Sequence, residues 1–284
     1  SVTGVQTCAL PIFLPGYAEL HCLSNFSFLR GASHPAELVA RAKALGYAAL
    51  ALTDECSLAG VVRAHEAAQA EQLPLIIGSE FRLADGPRLV LLATSRIGHA
   101  GLCGLITTAR MRAAKGRYLL RRADVEAAAD SLQGCLALLL PAADADLAEA
   151  RWTGACFPRR SWIAAELLAG GNDRTRLGAL RELARASGLP LVAAGDVHMH
   201  VRSRRRLQDV LTAIRLGKPV HACGHALFPN GERHLRHRLR LAGVYPPELL
   251  AESLHIAALC HFSLNELRYE YPEELVPAGQ TPDG

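Results

Sequence analysis

The chain has 284 residues, half of them hydrophobic and a fifth charged. That balance excludes disordered, collagen-like and coiled-coil classes and suits one large domain or two small ones, with a core that needs no disulfide or metal to hold it together. Net charge is only +4, from 31 lysines and arginines against 27 acids, and the longest apolar runs, 89–93 and 136–140, fall far short of the roughly 20 residues of a membrane helix.

The first twelve residues, SVTGVQTCALPI, lack an initiator Met and a basic signal region, and they read as a non-native leader. From Tyr17 onward, short apolar runs alternate with stretches of helical period. In chain order the pattern predicts a strand at 17–22, a helix at 35–45, a strand at 48–53, a helix at 58–72, and strands at 73–81 and 88–94. A helix at 123–130, strands at 135–140 and 163–167, a helix at 173–187, a strand at 189–197 and a helix at 204–216 follow. Gly46, Gly188 and Gly217 stand where left-handed helix caps belong. Strands that are apolar on both faces and alternate with helices imply a parallel sheet covered by helices. About seven such units over roughly 200 residues fit a closed βα barrel better than an open sheet, and chemistry in such barrels sits at the C-terminal ends of strands.

Those ends carry metal-type ligands: His21 on the first strand, Asp54 on the second, Glu80 on the third, and Asp196 with His198 on the last. Alternate side chains of a strand face the same way, so Asp196 and His198 point together into the barrel mouth. Imidazole and carboxylate suit Zn, Mn or Fe, which activate water for attack on phosphate. The charge is also unevenly placed. Six basic residues and no acid lie between Ile106 and Arg122, and ten basic residues meet only Asp209 and Glu232 between Arg202 and Arg240. Such an excess suits either a phosphate backbone or a solvated arginine-rich face. Eight cysteines with no C-x-x-C pair fit a reducing cytoplasm.

The motif Glu19-Leu20-His21-Cys22-Leu23-Ser24-Asn25-Phe26-Ser27, with Leu52-Thr53-Asp54, Ile77-Gly78-Ser79-Glu80 and Gly195-Asp196-Val197-His198, resembles the motifs of the PHP (polymerase and histidinol phosphatase) family. Longer flanks, such as SNFSFLRGASHPAELVARAKALGYAALALTDECSLAGVVRAH, LQDVLTAIRLGKPV and FSLNELRYEYPEELVPAG, are similar to the PHP region of bacterial C-family DNA polymerase alpha-type subunits, in particular the error-prone branch. The resemblance implies a distorted (βα)7 TIM-like barrel. It also implies a layout of leader at 1–12, PHP domain at 13–268, and at 269–284 the start of a linker toward an absent palm domain that would hold Mg and perform damage-induced DNA synthesis.

Carried over position by position, the family's metal ligands are His21, Asp54, Glu80, Asp196 and His198. Other ligand positions are lost: the second histidine of the opening motif is Leu23, a later one falls at Leu29 and Arg30, and three more are Glu55, Arg88 and Pro141. Leu23 and Pro141 offer no side-chain donor, and a permanent guanidinium at Arg88 repels a metal and can neutralise Asp54, Glu80 or Asp196. The expectation is therefore an arginine–carboxylate network with no bound metal, against a single residual Zn or Mn at His21, Glu80, Asp196 and His198. Arg204, Arg205, Arg206, Arg236 and Arg238 are read as contacts to DNA or a neighbouring domain. The implied partners are the rest of the polymerase chain (palm, fingers, thumb), a primer-template and, through absent regions, a sliding clamp and other mutagenesis proteins, in the cytoplasm and with no membrane. The rival readings are a metal-dependent phosphoesterase or 3′–5′ exonuclease, and a non-catalytic DNA- or protein-binding scaffold.

Overall fold

A computed structural model describes residues 14–144 and 146–267; the leader, the linker read at 269–284 and both expected domain boundaries lie outside them. Seven strands form one sheet in sequence order: β1 (Ala18–Glu19), β2 (Ala49–Leu52), β3 (Leu75–Arg82), β4 (Arg88–Ala93), β5 (Cys135–Leu140), β6 (Ser161–Ala165) and β7 (Leu191–Ala193). Its two edges meet. Beyond β1 and β7, Cys22 bridges Val197, the Leu23 N–H donates to the Val197 carbonyl (2.8 Å) and the Val197 N–H to the His21 carbonyl (2.9 Å). The result is a curled, seven-stranded α/β barrel. Its helices among the described residues are α1 (Pro35–Ala44), α2 (Val61–Glu71), α3 (Arg96–Met111), α4 (Arg122–Ala127), α5 (Leu147–Cys156), α6 (Asp173–Ser187), α7 (Arg205–Leu216), α8 (Arg238–Ala242) and α9 (Pro247–Leu259).

The sheet is not wholly parallel, which corrects the reading from periodicity. β4 runs antiparallel to both β3 and β5, while the remaining pairs are parallel. The cause is loop length: only 83–87 join β3 to β4, and a parallel return needs a crossover of a dozen or more residues. The reversal has a functional result, because it brings the N-terminal end of β4, and with it Arg88, to the rim where the other strands end.

Two apolar layers cover the sheet. One joins alternate strand residues such as Leu50, Leu52, Leu89, Leu91 and Ile163 to Leu38, Val39, Ala64 and Leu102 of the surrounding helices. The other fills the opposite face with Ala51, Ile76, Val90, Leu92, Leu138 and Trp162, packed with Ile256 of α9. Glu80 pairs with Val90 and Arg82 with Arg88. By strand alternation these four lie on the second face, so the polar rim continues directly from an apolar layer.

β1 and β7 are shorter than the apolar runs suggested, and one side chain explains both. The Glu19 carboxylate accepts from the amides of Leu20 (3.1 Å), His21 (3.1 Å) and Gly195 (2.8 Å), replacing ladder partners where the strands splay. The three expected glycine caps do take the left-handed conformation, with φ of 69° at Gly46, 77° at Gly188 and 63° at Gly217.

Helices α3, α5, α8 and α9 escaped the sequence pattern. In α3 the reason is glycine, which is costly in a helix interior. Tertiary packing requires two of its three glycines: a methyl group on Gly98 would sit 1.8 Å from the Gly134 carbonyl oxygen, and one on Gly101 2.3 Å from that of Ser131, whereas one on Gly104 would meet nothing within 4 Å. Gly98→Ala is expected to destabilise the fold by about 2 kcal/mol through overpacking, and Gly104→Ala to stabilise it by up to about 1 kcal/mol. Urea unfolding midpoints read both; equal effects at the two positions would refute the close-approach argument.

Candidate functional site

At the centre of the rim lies the fully buried His21 imidazole. Its Nδ1 is 2.7 Å from Glu166 Oε1 and its Nε2 3.0 Å from Glu80 Oε2. Both partners are acceptors, so both ring nitrogens donate and the ring carries a charge. Burial alone would depress its pKa, but the two carboxylates outweigh burial and raise it to about 9. Burial pulls the Glu80 carboxyl upward, yet His21, Arg30 and Arg88 together hold it well below the usual carboxylate range.

Three guanidiniums meet the surrounding carboxylates. Arg30 donates to Glu55 and to both oxygens of Glu80 (3.2 and 3.4 Å). Arg88 lies 3.9 Å from Glu80 and 3.9 Å from Glu166. Arg233 pairs with Asp196 and lies over the Phe228 ring, 4.3 Å from its centroid. Burial and the nearby Arg88 and Arg30 charges bring the Arg233 pKa down to about 10. His198 Nδ1–H donates to the Arg30 carbonyl (3.0 Å), and its Nε2 is 3.0 Å from Asp196 Oδ1. Burial and the Arg30 charge lower the His198 pKa. Outside this set, the Tyr118 hydroxyl donates to Glu55 (2.9 Å) and Arg110 donates to the Glu55 and Cys56 carbonyls, holding that loop.

The structure brings His21, Glu80, Asp196 and His198 into one cluster. Asp54 does not join it. Its Oδ1 accepts from the Ser24 amide (2.8 Å), the Ser27 amide (3.1 Å) and the Ser27 hydroxyl (2.6 Å), and its Oδ2 from the Ser24 hydroxyl (2.7 Å). Its polar capacity is spent on folding the 24–27 turn. Leu23 is wholly buried, and Pro141 offers only a carbonyl, taken by Arg176 (2.6 Å). Glu55 faces the cluster as the acceptor of Arg30 and Tyr118.

The five arginines read as contact residues also divide. Arg236 is 2% exposed and donates to the Leu167 carbonyl and the Tyr245 hydroxyl, so it is a core residue and not a surface contact. Arg238 is spent on the Leu45 and Pro15 carbonyls, across Gly46. Arg204 pairs with Glu37 and Arg205 with Asp209, and of the five only Arg206 is exposed. Glu166 and Arg233 were missed as site residues. The signal for Glu166 was a lone acid within the apolar run Trp162-Ile163-Ala164-Ala165-Glu166-Leu167, directly after β6. Arg233 comes from an irregular loop and left no local signal.

Among the described residues, His21, Glu166 and Asp196 each offer a ligand atom within 4.8 Å of the others. A multinuclear centre does not fit this donor set. His21 has both nitrogens committed as donors, and Glu80, Glu166 and Asp196 each already face a guanidinium that would repel a metal ion.

The profile of the PHP domain family matches residues 19–170. The chain belongs to the PHP domain family. It is 62% identical over 271 residues to an error-prone DNA polymerase of Dechloromonas aromatica (strain RCB), covering 95% of this chain and 26% of that protein. An error-prone DNA polymerase of Methylococcus capsulatus is 60% identical over 265 residues, 93% of this chain and 25% of its own length. The PHP chain thus spans about a quarter of these relatives. Among solved structures, an amidohydrolase from Chromobacterium violaceum superposes with a TM-score of 0.47 at 18% identity, over 64% of this chain and 88% of that one.

The raised His21 pKa sets a pH dependence. A group whose folded pKa exceeds its unfolded value stabilises fully below the unfolded pKa, near 6.5, and loses that contribution as pH rises through about 9. Stability is expected to fall across this window by up to about 3 kcal/mol, and His21→Gln is expected to flatten the decline while lowering stability at pH 6. Chemical denaturation at several pH values reads this; an identical decline in the variant would reject the charged His21.

Proposed function

We propose that this chain is the PHP domain of an error-prone DNA polymerase and acts there as a metal-free scaffold. Nucleotidyl transfer on a primer-template, in damage-induced synthesis, would be performed by Mg-holding carboxylates in a palm outside this sequence. The identity of about 60% to error-prone polymerases over nearly the whole chain supports the placement. The observation that carries the metal-free part is the pairing of Arg30, Arg88 and Arg233 with Glu80, Glu166 and Asp196. Guanidinium groups neutralise buried carboxylates as a metal would, but they lend no Lewis acidity and activate no water. In this reading the rim stabilises the barrel so that the remaining polymerase chain can pack on it. The work place is the bacterial cytoplasm, in keeping with seven free cysteines among the described residues. No helix among the described residues is long and apolar enough to cross a membrane.

A second reading has its own observation. The close approach of His21, Glu166 and Asp196 would let one Zn or Mn bind if His21 gave up its protons, and a phosphoesterase or exonuclease step would then be open to the domain. Elemental mass spectrometry of the chain, expressed without a histidine tag, separates the two. The scaffold reading expects Zn, Mn and Fe well below stoichiometric. About one equivalent per chain, lost in Asp196→Asn, would overturn it in favour of the second.

A further inference from the structure

Above the cluster the rim opens into a pocket of about 390 Å³, within the range of small-molecule sites. Five arginines line it, Arg30, Arg82, Arg88, Arg215 and Arg233, against two acids, Glu55 and Asp196. Counting Glu80, Glu166 and the His21 cation beneath still leaves five guanidiniums and one imidazolium against four carboxylates, a surplus of two positive charges. Phe228 is its one apolar lining residue. Such a surface neither recruits an apolar ligand nor satisfies itself.

The arginines are not equivalent. Arg30 and Arg233 are largely buried and committed to Glu55, Glu80 and Asp196. Arg88 reaches its two carboxylates only at 3.9 Å, beyond hydrogen-bond distance. Arg82 and Arg215 are exposed at the mouth and have no ion-pair partner among the described residues. Arg82 and Arg88 are opposite each other in the β3–β4 ladder and project from one face, while Arg215 comes from the last turn of α7 across the pocket. Guanidiniums converging from a sheet and from a facing helix, with N–H groups left to donate, form a cradle for an oxyanion that accepts several hydrogen bonds.

We propose that this pocket binds a phosphate group without metal, held by Arg82, Arg88 and Arg215. The inference rests on the metal-free reading of the rim. It specifies the ligand as a phosphate dianion, free or as the terminal phosphate of a nucleotide. Bound there, the anion neutralises the surplus charge, so occupancy stabilises the barrel by mass action.

The test is calorimetric titration of the chain at low salt, with inorganic phosphate and a nucleoside 5′-monophosphate as probes, in EDTA and separately with added Mn. Saturable binding of either probe in EDTA, at one site, supports the proposal, and the ratio of the two affinities distinguishes free from esterified phosphate. Arg82→Ser with Arg215→Ser is expected to weaken binding at least about tenfold. Both side chains are exposed and unpaired, so the fold survives their loss. An Arg151→Ser control, exposed on α5, removes charge away from the pocket and is expected to leave binding unchanged. Unaltered binding in the double variant, or equal weakening in the control, overturns the assignment to this pocket. Absence of binding with and without Mn overturns the proposal but leaves the metal-free rim standing. Binding only with Mn overturns both.

Discussion

One buried carboxylate holds the barrel's two ends in register. Glu19 is 2% exposed, and it accepts the amide protons of Leu20, His21 and Gly195 together with the Tyr17 hydroxyl (2.9 Å). A buried carboxylate is costly unless its oxygens are satisfied, and these four donors do so while Arg236 supplies a nearby opposite charge. The acceptor is shared between strands separated by 176 residues, so the backbone that bears His21 and the backbone that bears Asp196 are referenced to the same point. A methyl group on Gly195 would lie 2.2 Å from Glu19 Oε2, which leaves only glycine able to approach it. The next residue, Asp196, has a φ of 44°, and this left-handed turn follows the point where the strand leaves its ladder.

On that frame the rim solves an electrostatic problem. Four carboxylates crowd around one imidazole on top of an apolar layer, and they need counter-charge from a metal or from side chains. Here side chains supply it. Arg30 comes from the loop after the opening motif, Arg88 from the reversed strand β4, and Arg233 from the segment before α8. The reversal of β4 is therefore chemical as well as topological. Were β4 parallel, Arg88 would enter at the far end of the barrel and Glu80 and Glu166 would lose a shared cation. Counter-charge from arginine is permanent and planar, and its surplus N–H groups point outward, which turns an inward-looking ligand cluster into an outward-looking cationic pocket.

His21, Glu80, Asp196 and His198 were legible because residue type and strand-end position coincide at each of them, and strand ends follow from apolar runs. Asp54 had the same local appearance and a different fate, since its four donors come from Ser24 and Ser27, up to 30 residues earlier. Glu166 was hidden by its own neighbours, which make the surrounding run read as continuous strand. Arg236 was misleading in the opposite sense: it sits in a basic run but turns into the core, where Tyr245 and the Leu167 carbonyl receive it.

The sequence by itself determined the α/β class, the seven strands, the glycine-capped helices and the loss of donors at Leu23, Arg88 and Pro141, because each depends on residue type and on spacing within a few positions. Tertiary structure alone decided which charges meet. His21 and Glu166 are 145 residues apart in the chain and 2.7 Å apart in space, and electrostatic pairing depends on that second distance, which no local pattern encodes.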